Sequence, residues 1–206
     1  MARDTGPQCK QCRREGQKLF LKGERCLTEK CGVERRSYPP GEHGRGRVRA
    51  SEYRNQLREK QKARRFYGVL ERQFAGYYDK ASRQEGVTGD NLLRMLERRF
   101  DNVLVRLGFA ASRRQARQLI NHGHWLINGK RVDIASYQVR PDDVITIKPS
   151  SGASDVVRQA TELTAVVPPW LQADHDALTA KVLRLPERSE IAAPIQEQLI
   201  VELYSK

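Results

Sequence analysis

Residues 100–134, FDNVLVRLGFAASRRQARQLINHGHWLINGKRVDI, constrain the fold of this chain more than any other stretch. Asn128-Gly129 separates Trp125-Leu-Ile127 from Arg131-Val-Asp133. Asn-Gly between strand-like runs is the strongest short hairpin signal, because both residues accept the positive φ of a type I′ turn. Upstream, Asp101 is placed to cap a helix carrying Val103, Leu104 and Leu107, which Gly108 stops. Ser112-Arg-Arg-Gln115 has the form of a capping box. It opens a second helix with Ala116, Leu119 and Ile120 inward, closed by Asn121-His-Gly123. Two short helices and a hairpin are predicted.

The second helix is basic. Arg113 and Arg117 share one face, and Arg114 shares an adjacent face with Gln118 and Asn121. Guanidinium forks match phosphates, while Asn and Gln can reach 2′-hydroxyls and base edges. Charged residues on one short helix are ordinarily a solvated face. Here Lys130 and Arg131 follow the hairpin turn, and acidic partners are nearly absent from residues 102–132, so RNA contact is the stronger reading. His122 and His124 could form a metal or acid–base pair, but no cysteine or carboxylate is arranged beside them. They are read as closing the helix and meeting RNA; His43 is read as loop structure, and Trp125 and Trp170 as core.

The charge of the whole chain agrees. Its 206 residues carry 38 Lys/Arg against 25 Asp/Glu, a net of +13. Residues 1–99 hold 25 basic and 13 acidic residues, whereas 100–206 hold 13 and 12. A concentrated cationic surface gains by releasing the condensed counterions of a phosphate backbone. The N-terminus has no apolar signal core, and no apolar run approaches the ~20 residues that span a bilayer. A cytoplasmic, reducing setting is expected, in which four cysteines need an explanation other than routine disulfides.

Cys9-x2-Cys12 and Cys26-x4-Cys31 are two close pairs separated by thirteen residues, spacing that suits a tetrahedral structural zinc site. A disulfide pair and an iron–sulfur cluster are the alternatives. Residues 1–34 hold too few apolar side chains for a core of their own, so metal would staple them, with Lys10, Arg13, Arg14, Arg25 and Lys30 offsetting four thiolates. Residues 35–50, RRSYPPGEHGRGRVRA, read as an extended basic arm that cannot fold alone. From Ser51, an N-cap, helical spacing takes over. Leu70, Phe74, Tyr77, Tyr78 and Ala81 form an amphipathic stripe, and Thr88-Gly-Asp90 starts a shorter helix. Beyond the hairpin, Val144 to Ile147 predicts a strand and Asp155 to Ala165 a weak helix, while Val166 to Leu171, broken by Pro168-Pro169, and Lys181 to Leu185 can add strands to the same sheet. Ile195, Leu199, Ile200 and Leu203 mark a last helix.

With these residues in view, the stretch 98–134 resembles the RNA-binding module named after the fourth protein of the bacterial small ribosomal subunit. Tyr38-Pro-Pro-Gly41 with His43-Gly44, Val182-Leu-Arg-Leu-Pro-Glu-Arg188 and the terminal Glu197-Gln-Leu-Ile-Val-Glu-Leu-Tyr-Ser-Lys206 extend the likeness to that ribosomal protein family over nearly the whole chain. The resemblance implies a non-enzymatic protein that binds 16S rRNA directly and early at a five-way helical junction. It implies a nucleating role in assembly of the subunit body and, with the neighbouring fifth small-subunit protein, an influence on decoding accuracy. It also implies a C-terminal helix that returns to the helical domain. Cys9, Cys12, Cys26 and Cys31 place the chain with the zinc-binding members. An RNA-modifying enzyme using the module for docking, or a zinc-dependent DNA-binding regulator, would be the alternatives. No Gly-rich phosphate loop, nucleophile elbow or separate catalytic domain supports the first, and the helix–hairpin module suits irregular RNA better than a duplex groove.

The expected fold is α+β. A zinc knuckle and basic arm occupy 1–50, a helical domain 51–97 with 190–206 packing back, and an RNA-binding module on a small, mostly antiparallel sheet 98–189. Expected RNA contacts are Arg35, Arg36, Arg45, Arg47, Arg49, Arg54, Arg113, Arg114, Arg117, Gln118, Asn121, His122 and Lys130.

Overall fold

The computed structural model describes residues 4–46, 49, 51–163 and 166–206. Its helices are α1 (Gln8–Glu15), α2 (Gly32–Arg35), α3 (Glu52–Tyr67), α4 (Glu71–Ser82), α5 (Thr88–Glu97), α6 (Phe100–Arg106), α7 (Arg113–Asn121), α8 (Ser154–Thr161) and α9 (Glu197–Tyr204). The strands are β1 (Trp125–Ile127), β2 (Lys130–Arg131), β3 (Val144–Ile147), β4 (Leu171–Asp174) and β5 (Thr179–Val182). The chain divides into two compact units, Met1–Leu92 with Ala193–Lys206, and Leu93–Ala192.

In the first unit, Ser51 caps α3 by accepting the Arg54 N–H at 3.2 Å, and Gly68 ends it at φ 64°. Phe74, Tyr77 and Ala81 of the predicted stripe are buried on α4. Helix α9 lies against α3. The buried Gln56 amide donates to Glu202 at 3.1 Å, and Lys206 donates to the Gln56 oxygen at 3.1 Å. Tyr204 stacks on Tyr78 with centroids 4.4 Å apart and donates its hydroxyl to Glu71 at 2.8 Å. Glu71 in turn receives Lys60 at 3.0 Å and Arg64 at 2.8 Å.

The second unit is a five-stranded antiparallel sheet in the order β2-β1-β3-β5-β4. Strand alternation sends Trp125, Ile127, Ile145, Ala180, Val182 and Leu171 to one face. There they join Phe100, Val103, Leu104 and Leu107 of the α6 region and Ala116, Leu119 and Ile120 of α7 in one core. Phe109 stacks on Trp125 at 5.2 Å, and both rings are fully buried, as is Trp170 at 1% exposure. Asn128 and Gly129, at φ 50° and 76°, make the expected type I′ turn, with Ile127 paired to Lys130.

Two of the expected strands fall elsewhere. Val166 to Leu171 does not form one, because Pro168 and Pro169 have no N–H for a ladder. Strand β4 begins only at Leu171, whose N–H closes a turn on the Pro168 carbonyl at 2.9 Å. Its partner is β5, which ends where the Leu183 N–H turns to the Trp170 carbonyl at 3.0 Å. Asp174 Oδ1 organises the connection, accepting the N–H groups of Asp176 and Ala177 at 3.1 and 2.9 Å. The weak helix expected over 155–165 is α8; Thr164 and Ala165 lie outside the described residues. Among the described residues no helix is long and apolar enough to cross a membrane.

Candidate nucleic-acid interface

Helices α6 and α7 are joined by an ion pair and a side-chain hydrogen bond as well as by apolar packing. Asp101 does not cap α6; the N-cap is Arg99, and Asp101 lies in the first turn with no exposure. Its carboxylate receives Arg99 Nε at 3.0 Å and Nη2 at 2.8 Å, and Arg117 Nε at 3.0 Å. The neighbouring Asn102 is equally deep. Its amide donates to Glu97 Oε2 at 2.7 Å, its oxygen accepts Arg113 Nε at 2.9 Å, and Arg106 Nε reaches the same Glu97 at 2.9 Å. Charges this deep persist only when paired and hydrogen-bonded, and here each is.

This network divides the arginines of α7. Arg117, expected at the RNA surface, is turned inward at 6% exposure and occupied by Asp101. The acidic partner that residues 102–132 lack lies one residue upstream. Arg113, on the same face, is half-buried against Asn102. The adjacent face stays outward: Arg114 is half-exposed, and Gln118 and Asn121 are exposed, in one stripe at i, i+4 and i+7. His122, the exposed C-cap of α7, and exposed Lys130 in the hairpin continue it along the chain.

Local geometry holds the stripe in place. Ser112 Oγ accepts the Gln115 N–H at 3.3 Å, whereas the Gln115 side chain reaches past Ser112 to accept the Ala111 N–H at 2.8 Å. Gly123, at φ 75°, ends the helix; a Cβ there would lie 2.4 Å from Arg131 Nε, so the Arg131 side chain crosses bare backbone. His124 faces Ser151, with Nδ1 and Oγ 2.9 Å apart.

The arm is less free than its composition predicts. Arg35 ends α2, Arg36 follows it, and Arg45 closes a 3-10 turn over Glu42–Arg45, all three exposed. Arg13 Nε donates to the Tyr38 carbonyl at 2.9 Å, and Arg14 to the Pro40 carbonyl at 3.3 Å. Gly44 fits because a Cβ would meet the Pro39 oxygen at 2.0 Å. Arg49 is exposed, and Arg54 is half-buried, donating to the Arg49 carbonyl at 3.2 Å. Arg47 lies outside the described residues.

Cys9, Cys12, Cys26 and Cys31 are free thiols lining one cavity of about 10 Å³, with Gly32 and Leu21 among its walls. Cys12, Cys26 and Cys31 are buried, and Cys26 Sγ accepts the Lys22 N–H at 3.4 Å. A Cβ on Gly32 would press to 2.7 Å from that of Cys9. Burial pushes the Cys12 and Cys26 thiols up, with the other cysteines adding to the effect. Among the described residues no three His, Cys, Asp or Glu groups form an assembled metal cage, although all four cysteines line the same small cavity and sulfur is a donor that suits a thiophilic ion.

Sequence reasoning missed Glu97, Arg99, Asn102 and Arg106 as the groups that hold the two helices. Their signal was present: charged and amide residues spread from the end of α5 to the end of an otherwise apolar α6.

Comparison with known proteins adds the relatives. Residues 3–97 match the family described as "Ribosomal protein S4/S9 N-terminal domain", and residues 98–145 match the "S4 domain". The chain is 57% identical over 208 residues to a protein named "Small ribosomal subunit protein uS4" from Pelotomaculum thermopropionicum, covering all of both chains. It is 56% and 55% identical, again over the whole of both chains, to proteins of the same name from Citrifermentans bemidjiense and Thermodesulfovibrio yellowstonii.

Proposed function

Because this chain belongs to the uS4 family of small ribosomal subunit proteins, we propose that it is a structural component of the small subunit that binds 16S rRNA directly. The observation that carries the reading is the outward stripe Arg114–Gln118–Asn121, set within the segment matching the S4 domain. A guanidinium gives attraction to phosphate, and two amides and an imidazole give hydrogen bonds to 2′-hydroxyls and bases. Lys130, Arg113 at its half-buried site, and Arg35, Arg36, Arg45, Arg47, Arg49 and Arg54 of the first unit extend the contact. Arg117 acts from inside, by holding α7.

Family membership supports the rest of the proposal. The protein works in the cytoplasm within the small subunit, binds early at a multi-helix junction, nucleates the subunit body and contributes to translational accuracy beside the fifth small-subunit protein. Three regions divide the labour: knuckle and arm over 1–50, helices over 51–97 with 190–206, and the RNA-binding module over 98–189. One structural zinc held by Cys9, Cys12, Cys26 and Cys31 organises the front of the chain; the shared cavity and the all-sulfur donor set support it.

Sedimentation of cell lysate tests the function. Stoichiometric presence in small subunits is expected, together with binding of purified chain to 16S rRNA that weakens linearly in log–log salt plots. A chain absent from the subunit fraction and indifferent to the transcript overturns the proposal.

A further inference from the structure

Tyr38 gathers positive charge. Arg45 Cζ lies 4.5 Å from the centre of its ring and Arg13 Cζ 4.9 Å. Arg13 also donates Nε to the Tyr38 carbonyl, and Arg14, one residue on, fastens Pro40. Among the described residues no ion pair joins Arg13, Arg14, Arg36 or Arg45 to a carboxylate. Of the acids on these elements, Glu15 pairs with Arg58 and Arg65 and Glu34 with Lys18, while Glu42, exposed on the turn that carries Arg45, makes no ion pair with it. Like charges collected around one ring, without an internal counter-ion, are arranged for an external anion.

We propose that Arg13 and Arg45, held by the Tyr38 ring, form a clamp for a phosphodiester of the bound RNA, with Tyr38 as its positioning residue. This deepens the RNA-binding assignment above and rests on it. A guanidinium stacked on an aromatic ring keeps its N–H edge available for the paired oxygens of a phosphate. With Nε committed to the Tyr38 carbonyl, Arg13 retains its terminal nitrogens for that purpose. Arg45 approaches through the 3-10 turn that bare Gly44 permits, so the two arms of the clamp come from segments far apart in sequence. Arg13 sits beside Cys12, which ties the clamp to the cysteine-lined part of the fold.

The test compares full-length variants, checked for equal metal content, in binding to 16S rRNA over a potassium chloride series. Arg13→Gln and Arg45→Gln should each weaken binding and reduce the log–log salt slope by about 0.7–0.9, the contribution of one phosphate contact. Tyr38→Leu should weaken binding about tenfold, and Tyr38→Phe, which keeps the ring but loses the hydroxyl that Arg45 hydrogen-bonds, should recover part of that loss. Arg13→Lys should restore the slope more fully than the affinity, because it keeps the charge and loses the fork. If Arg13→Gln binds with an unchanged slope while the parent binds normally, the clamp is overturned and the arginine is structural. If the parent itself ignores the transcript, the RNA-binding assignment fails instead.

Discussion

Asp101 accepts hydrogen bonds from Arg99, two residues before it, and from Arg117, sixteen residues after it, and none of the three side chains is more than 7% exposed. One carboxylate thereby fixes the angle at which α7 leaves α6. Removing one member of such a buried pair strands an opposite charge and costs about 3–5 kcal/mol. Asp101→Asn should therefore lower the urea midpoint sharply at unchanged denaturant slope. Arg117→Ala should behave likewise, with a salt slope for RNA binding equal to the parent's. A lowered salt slope with normal stability would return Arg117 to the surface.

The outward stripe should give the opposite result. Arg114→Ala is expected to leave the melting temperature nearly unchanged while reducing the salt slope by about 0.7–0.9. Gln118→Ala and Asn121→Ala remove hydrogen bonds rather than charge. They should weaken binding with the slope intact, and fluorescence anisotropy across salt separates the two outcomes.

The proposed zinc site predicts a pH signature. Burial raises the Cys12 and Cys26 thiols, so coordination must displace protons that bind more tightly than usual. Zinc affinity should rise with pH through the neutral and mildly alkaline range and fall as acid is added. Chelation, or Cys12→Ser, should expose residues 4–46 to protease while α3, α4 and the second unit stay protected. Sites of this kind contribute ~10–16 kcal/mol to local folding, so equal protease resistance after complete metal removal would refute a structural ion.

Tyr204 predicts an alkaline limb. Burial raises its phenol well above the ordinary value, and the hydrogen bond to Glu71 adds to the shift. A group that holds its proton more tightly when folded contributes fully below the unfolded value, about 10, and loses that contribution as pH rises toward the folded one. Tyr204→Phe should cost about 1 kcal/mol at neutral pH through the lost hydrogen bond, and should flatten the decline above pH ~10. Chemical denaturation at pH 7 and pH 10.5 measures both.

Much of the fold could be read from the sequence where local chemistry decides the matter. Asn128-Gly129 dictated a hairpin by its φ preferences, Ser51 and Ser112 announced helix starts, and the stripe from Leu70 to Ala81 carried α4. Reading failed where a residue's role depends on a distant partner. Nothing near Arg117 reveals that Asp101 will meet it, because the contact exists only once α7 folds back on α6. The run from Val166 to Leu171 carried both a strand-like hydropathy and the break at Pro168-Pro169, and the break prevails up to Leu171. The arm looked unstructured by composition, yet Arg13 and Arg14, from another segment, tether it.

The placement of α9 on α3 has a consequence for how the chain is made. Residues 93–192 are contiguous and can close on themselves as soon as they leave the exit tunnel. The earlier helices wait, because the segment bearing Tyr204 is translated after that entire insertion. Until then the buried Gln56 lacks Glu202, and Glu71 lacks the Tyr204 hydroxyl. A released chain truncated after residue 192 should therefore hold a finished second half and an unfinished first.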